Sequence, residues 1–503
     1  MALARAWSVA LLGIDGRLVE IEADIGAGMP GTKLVGLPDT GLREAKDRVR
    51  AAVRNSGQKW PDSAVTLGLS PANLPKVGSG YDLGIAAAVL AASGSVPATK
   101  LIGTVLLGEL ALDGRVRPVR GVLPALLAAR GAGYRRAVVS ADSLGEGALV
   151  DGIEVLGAGR LLEVVEWLKD ERVLVPAEAP TAPEVAEVAD LADVVGQPEA
   201  RWALEVAAAG GHHLLMVGLP GIGKTMLAKR LPGLLPPLSD EESLEVTAVH
   251  SVEGSLHSDS PLVRVPPFVA PHHSISMAAL VGGGSGLAMP GAISRAHRGV
   301  LFLDEAAEFS GERLEALRTV LEECEVRIAR ARGVVRYPAS FQLVLATNPC
   351  PCAPPRETDC SCSPMARRRY LGRLSGPLLD RVDLRVRMRP ITAMRVHDDT
   401  EPESTEQVRT RVMRARQRAA ERWAEHGWRT NSQVPGPMLR KEFALPCRVT
   451  ALLDRGLDRG AITARGADRC LRIAWTLADL AGSPCPDADH VAAALEFRDR
   501  RAA

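Results

Sequence analysis

The segment Gly218-Leu-Pro220-Gly221-Ile-Gly223-Lys224-Thr225 sets three glycines, a lysine and a hydroxyl at the spacing that holds nucleotide phosphates. Glycines let backbone N–H groups wrap a phosphate with no Cβ in the way, and a helix starting there adds its positive dipole end. Lys224 is expected to reach the terminal phosphates and Thr225 to ligate Mg2+. The apolar run HLLMVG precedes the loop, which supplies the strand this motif requires. Farther along, Val300-Leu-Phe-Leu-Asp304-Glu305 runs four apolar residues into two acids, so both carboxylates emerge at the end of a buried strand. Asp304 is expected to hold Mg2+ through water and Glu305 to activate the attacking water. A structural glycine turn and an ordinary strand end are the alternatives for each motif alone; together the two motifs predict binding and hydrolysis of ATP.

Two other clusters could bind ligands. Cys350-Pro-Cys352 and Cys360-Ser-Cys362 form two C-x-C pairs, whereas Cys324, Cys447, Cys470 and Cys485 are scattered. A four-thiolate Zn2+ site is the expectation, closing a proline-rich loop with little apolar surface; disulfides or unligated thiols are the alternatives. Residues 366–389 add eight arginines against two aspartates. Arg330, Arg332 and Arg336 surround a turn at Gly333 and suit the phosphates of a nucleic acid, a solvated basic turn being the alternative.

These residues need elements to hold them. At 503 residues the chain is long enough for several domains, and 46% hydrophobic with 24% charged residues gives each a core. The net charge of +1 confines any nucleic-acid contact to local patches. No apolar run approaches a membrane span, the longest being GIAAAVLAA at 84–92. The apolar stretch 6–14 lacks a signal-peptide cleavage pattern, and ligand-type thiols suit a reducing compartment, so the expected location is cytoplasmic. The fold class is read as α/β multidomain. Residues 1–170 alternate short strands and helices, 171–190 form a Pro/Ala/Glu-rich linker, 191–395 carry the parallel-sheet nucleotide domain with the cysteine module at 350–362, and 396–503 are helical.

Several further segments resemble those of AAA+ ATPases. The strand FQLVLAT ends at Asn348, which resembles the first sensor that orients the lytic water. Ser375-Gly-Pro-Leu-Leu-Asp-Arg381-Val-Asp383 resembles the arginine-finger motif of the magnesium-chelatase branch, which implies that Arg381 enters a neighbouring subunit's site. Thr463-Ala-Arg465-Gly-Ala-Asp-Arg469 resembles the second-sensor segment, with Arg465 the preferred γ-phosphate contact; surface salt bridges are the alternative for these arginines. Together with DVVGQPEA (193–200), APHHSISMAALVGGG (270–284), PGAISRAHRGVLFLDE (290–305) and ATNPCPC (346–352), these motifs make the chain resemble the ComM/YifB family of magnesium-chelatase-like AAA+ proteins. The family usually reads FRAPHH where this chain has Phe268-Val-Ala-Pro-His-His273, a departure that leaves any role of that arginine without a carrier. The resemblance implies a homohexameric ring that moves along single-stranded or branched DNA and drives branch migration, as a helicase or translocase, in recombination and natural transformation with recombination proteins as partners. It also implies that 231–287 contains a pore-facing insert, in which His272 and His273 are candidate substrate contacts.

The first domain resembles the proteolytic domain of Lon through Pro75-Lys-Val-Gly-Ser-Gly-Tyr-Asp82-Leu-Gly84 and the turn at 119–122. Alignment puts Asp82 in place of the nucleophilic serine and Leu123 in place of the lysine, and that pair cannot form a catalytic dyad. Ser79 is displaced from the nucleophile's place, and Lys76 reads as a free surface lysine. The absent dyad argues against a protease. The alternative to a DNA motor is a chelatase-type ATPase that remodels a protein partner.

Overall fold

Strands Leu214–Val217, Val300–Leu303 and Gln342–Thr347 are buried at every position, the mark of a parallel sheet covered on both faces. The computed structural model describes residues 2–36, 40–178, 189–256, 262–284, 288–330, 333–390 and 402–498. Its central sheet runs Phe268–Val269, Val300–Leu303, Gln342–Thr347, Leu214–Val217, Leu384–Arg387, with every neighbouring pair parallel. Met216, Phe302, Val344 and Val386 point to one face and share a core with helices Pro198–Gly210, Thr405–Arg422 and Ala464–Ala481. Leu215, Leu301, Leu303 and Leu345 point to the other and pack with Leu314 and Leu317 of helix Gly311–Glu323. The C-terminal helices are therefore joined to the sheet through one apolar cluster. Trp423 is fully buried in it, with its indole N–H donating to Asn431 Oδ1 at 2.9 Å.

The N-terminal part is built on an eight-stranded mixed sheet in the order Val175–Pro176, Glu154–Ala158, Arg136–Ser140, Thr104–Leu106, Ala2–Leu12, Asp15–Gly26, Ala64–Ser70, Gly31–Val35. The apolar stretch 6–14 lies mostly in its first hairpin, where Gly13 turns the chain at φ +70°. Helix Asp82–Ala92 is buried at nearly every residue, which explains its alanine-rich composition. Val175–Pro176 falls in the segment expected as linker, yet it pairs with Leu156 and Gly157 as an edge strand. Residues 179–188 of that linker and the expected boundary near 395 lie outside the described residues.

The two parts touch through the helix Asp240–Glu253. Gly121 N–H donates to Ser251 O at 3.0 Å. The half-buried Glu146 carboxylate accepts from Leu123 N at 3.1 Å and from Ser251 Oγ at 2.5 Å. Burial raises the Glu146 pKa while these two donors lower it.

Candidate functional site

Parallel strands place their C-terminal ends along one edge of a sheet, and ligand sites form there. Leu214–Val217 runs into Gly218, Val300–Leu303 into Asp304, and Gln342–Thr347 into Asn348, with Val217 opposite Thr347 and Leu303 opposite Leu345. Gly221 and Gly223 take φ of +76° and +95°, and a Cβ on Gly218 would stand 2.1 Å from Ile222 Cδ1. Each is a conformation or an approach that a side chain obstructs. Helix Lys224–Leu234 begins immediately after the turn.

A cleft of about 380 Å3 results, lined by Pro220, Gly221, Gly223, Lys224, Thr225, Met226, Asp304, Glu305, Thr347 and Asn348. Lys224 Nζ donates to Gly218 O at 2.7 Å, Leu219 O at 2.8 Å and Asn348 Oδ1 at 3.0 Å. Burial lowers its pKa against the attraction of Asp304 and Glu305. Thr225 Oγ1 donates to Asp304 Oδ2 at 2.6 Å, so a hydroxyl and a carboxylate oxygen meet where a hard divalent cation finds oxygen ligands. Glycine backbone, buried ammonium and paired oxygens fit a nucleotide triphosphate with Mg2+. The structure brings together every residue expected for the phosphates, for Mg2+ and for water activation.

The expected arginines are elsewhere. Arg381, Arg465, Arg469 and Arg472 line a separate cleft of about 250 Å3 with His213 and Glu322. Arg381 is buried and ion-paired with Glu322 of its own chain; among the described residues its Nε has no partner. Arg465 is largely exposed, 3.9 Å from Asp380. Arg469 pairs with the buried Asp383, which His212 Nδ1 also approaches at 3.2 Å. Burial opposes ionisation of Asp383, yet Arg469 and His212 hold it well below the usual carboxylate range. Arg469 thus ties the helical part to the sheet. Burial also drives His213 down to about 4, consistent with its Nδ1 accepting the Leu343 N–H at 3.0 Å.

One contact at the cleft was missed by the sequence reading. His273 Nδ1 lies 3.2 Å from Glu305 Oε2, and its ring stands 4.1 Å from that of His272. The isolated pair of histidines carried no signal for this, because 272–273 and 305 meet only when strand Phe268–Val269 docks beside Val300–Leu303.

The basic hairpin comprises strands Glu325–Arg330 and Gly333–Pro338, with Arg330 opposite Gly333 and Arg336 opposite Arg327. Arg330 and Arg336 are exposed; Arg332 lies outside the described residues. Arg327, absent from the expectation, shares the Arg336 face but is paired with Glu323 and Glu325. Tyr337, next to Arg336 and the one aromatic side chain of the hairpin strands, offers bases no stacking surface: it is fully buried and donates to Ala288 O at 2.5 Å. The strand alternation forces this, since Val335 and Tyr337 face the core when Arg336 faces outward.

Cys350, Cys352, Cys360 and Cys362 are free thiols whose sulfurs all lie within 4.8 Å of one another. Neighbouring sulfurs are 3.4 to 3.6 Å apart. A zinc tetrathiolate with bonds of about 2.3 Å has tetrahedral edges of about 3.8 Å, so the donor set fits that ion. The backbone N–H of Cys362 helps bring the Cys360 thiol down to about 7.

In the N-terminal part Asp82 is fully buried and receives Arg48 Nε at 2.7 Å and Nη2 at 3.0 Å. Leu123 is buried as well. Lys76 is not the free surface lysine its sequence context predicts: it is fully buried, donates to Pro71 O, and burial lowers its pKa. Ser79 donates to Glu109.

Comparison with known proteins gives matches along most of the chain. Residues 190–396 match the family described as magnesium chelatase, subunit ChlI; residues 21–143 match subunit ChlI of Mg-chelatase, and 402–498 match its C-terminal family. The chain is 61% identical to an uncharacterized protein of Mycobacterium tuberculosis over 99% of both chains. It is 40% identical to the competence protein ComM of Haemophilus influenzae over 99% of this chain and 98% of that one. It is also 40% identical to YifB of Escherichia coli, over 99% and 97% respectively.

Proposed function

Because the chain belongs to the magnesium-chelatase-like family of ComM and YifB, we propose that it is an AAA+ ATPase whose homohexameric ring couples ATP hydrolysis to movement along DNA. The observation that supports the ATPase most directly is the meeting of Lys224, Thr225, Asp304, Glu305 and Asn348 on one cleft. Lys224 and the loop N–H groups bind and orient the phosphates, and Thr225 and Asp304 hold Mg2+, which when bound offsets phosphate charge. Glu305 accepts the proton of the attacking water, and Asn348 orients that water from its place beside Lys224.

Arg381 and Arg465 line a cleft apart from their own phosphate loop, which supports assigning both to the nucleotide of an adjacent subunit. Arg381 then leaves Glu322 when the interface closes. The four-cysteine cluster is assigned one Zn2+, with a structural role in the loop that follows Asn348. Residues 1–170 are assigned as a Lon-like domain without proteolytic activity, since Asp82 is locked to Arg48 and Leu123 has no proton to transfer.

Movement on DNA draws support from the exposed Arg330 and Arg336 and from the competence role in ComM's name. We place the chain's work in competence and recombination, with branched or single-stranded DNA as substrate. The test is ATP turnover with and without single-stranded DNA across a salt series. Turnover is expected to rise with DNA, and the stimulation to fall steeply as salt displaces the phosphate contacts.

A further inference from the structure

The N-terminal part meets the strand that carries Arg336 at the tip of its first hairpin. The chain turns there at Gly13, which is buried and holds φ +70°. A Cβ on Gly13 would stand 2.5 Å from the carbonyl oxygen of Arg336 and 3.0 Å from Val335 Cγ1. Glycine serves here both for its backbone conformation and for its lack of bulk. Leu11 and Ile14, on either side of the turn, pack against the cluster that holds Val335 and Tyr337 together with Leu301 and Leu345 of the central sheet.

A second contact keeps the turn in place. In helix Asp240–Glu253, Val252 belongs to the same cluster as Val335, while Ala248 joins Val9, Leu123 and Leu126 of the N-terminal part. Ser251 of that helix accepts from Gly121 and donates to Glu146. The N-terminal part is thus docked on the nucleotide domain through the helix, with its turn set against the backbone of the basic hairpin. A two-stranded hairpin alone is marginally stable, so this support stiffens it. Its outward face carries Arg327, paired with Glu323 and Glu325, and Arg336, which has no ion pair among the described residues.

We propose that the N-terminal domain braces the basic hairpin, with Gly13 as a positioning residue that fixes the Arg336 strand so that its guanidinium meets a DNA phosphate. The proposal rests on the DNA reading above and gives the non-proteolytic domain a part in it. A phosphate drawn along Arg336 pulls on a strand that the turn at Gly13 keeps from yielding, so the force passes to the body of the subunit.

The test uses the full-length oligomer, with binding of labelled single-stranded DNA read by fluorescence anisotropy across a salt series and ATP turnover measured alongside. Gly13→Ala is expected to weaken DNA binding about five- to tenfold and to flatten its salt dependence, as loss of a phosphate contact does, with basal kcat and KM for ATP unchanged. Gly57→Ala controls for backbone strain alone, since Gly57 holds φ +76° with nothing within 4 Å of its Cβ position; its DNA binding is expected to match wild type. In an Arg336→Ala background Gly13→Ala is expected to add little, because both act on one contact. Ile14→Ala loosens the turn without adding bulk and is expected to weaken DNA binding about twofold, with basal turnover unchanged; it carries the test if Gly13→Ala fails to assemble. Wild-type DNA binding in Gly13→Ala, or in Ile14→Ala where that variant carries the test, overturns the proposal. So does an equal loss in Gly57→Ala, a fall in basal turnover that matches the loss of DNA binding, or effects of Gly13→Ala and Arg336→Ala that multiply in full. A wild type that binds no DNA overturns the reading beneath it instead.

Discussion

Lys224 Nζ donates to Asn348 Oδ1 across 3.0 Å, joining the start of the phosphate-loop helix to the end of the neighbouring strand. The contact holds the amide at the place where the terminal phosphate and its water are expected. Asn348→Ala is therefore predicted to lower kcat by about tenfold to a hundredfold with little change in ATP affinity, as loss of a group acting mainly in the transition state does. Lys224→Ala is predicted to lose binding itself. Nucleotide titration combined with single-turnover kinetics separates the two; equal loss of binding in both variants contradicts the division of roles.

Arg381 sits with Glu322 in one cleft while the phosphate loop lies in another. Each of Arg381→Ala and Lys224→Ala is predicted to be inactive alone. Mixed oligomers are predicted to regain part of the activity, because some interfaces pair an intact phosphate loop with an intact arginine. Demonstrable co-assembly with no recovery counts against action between subunits.

The sulfur cluster predicts one zinc per chain. Elemental analysis of purified protein is expected to find near-stoichiometric zinc, lost on Cys360→Ser plus Cys362→Ser. Because Cys350 stands two residues beyond Asn348, metal loss is also predicted to slow ATP turnover. Well-folded, fully active protein isolated without metal contradicts both statements.

The pairing of the buried Asp82 with the partly exposed Arg48 predicts an inert N-terminal domain. Unfolded protein incubated with the full chain and ATP is expected to remain uncut, at the level of Glu305→Gln. ATP-dependent cleavage that survives repurification refutes this.

The legible parts of this molecule are those whose meaning is local. A phosphate loop needs eight consecutive residues, a buried strand announces itself as an apolar run, and paired cysteines declare their spacing, so the sheet and its cleft follow from the sequence. Long-range neighbours are another matter. His273 and Glu305 meet through the docking of two strands, and Arg381 finds Glu322 through the packing of a helix, neither of which leaves a periodic trace. Lys76 reads as a surface residue because lysine usually is one, and only tertiary packing buries it. Tyr337 could have been placed by counting alternate residues from Arg336, a signal present in the sequence.

The most direct test of the central claim is displacement or branch migration of a labelled DNA strand by the wild-type oligomer with ATP. Wild type is predicted to move the strand, whereas Glu305→Gln binds ATP and DNA without moving it. Replacement of Arg330, Arg332 and Arg336 by alanine is predicted to leave nucleotide binding intact and to abolish movement. A wild-type oligomer that hydrolyses ATP yet neither binds DNA at low salt nor displaces a strand contradicts the account, and points to remodelling of a protein partner in its place.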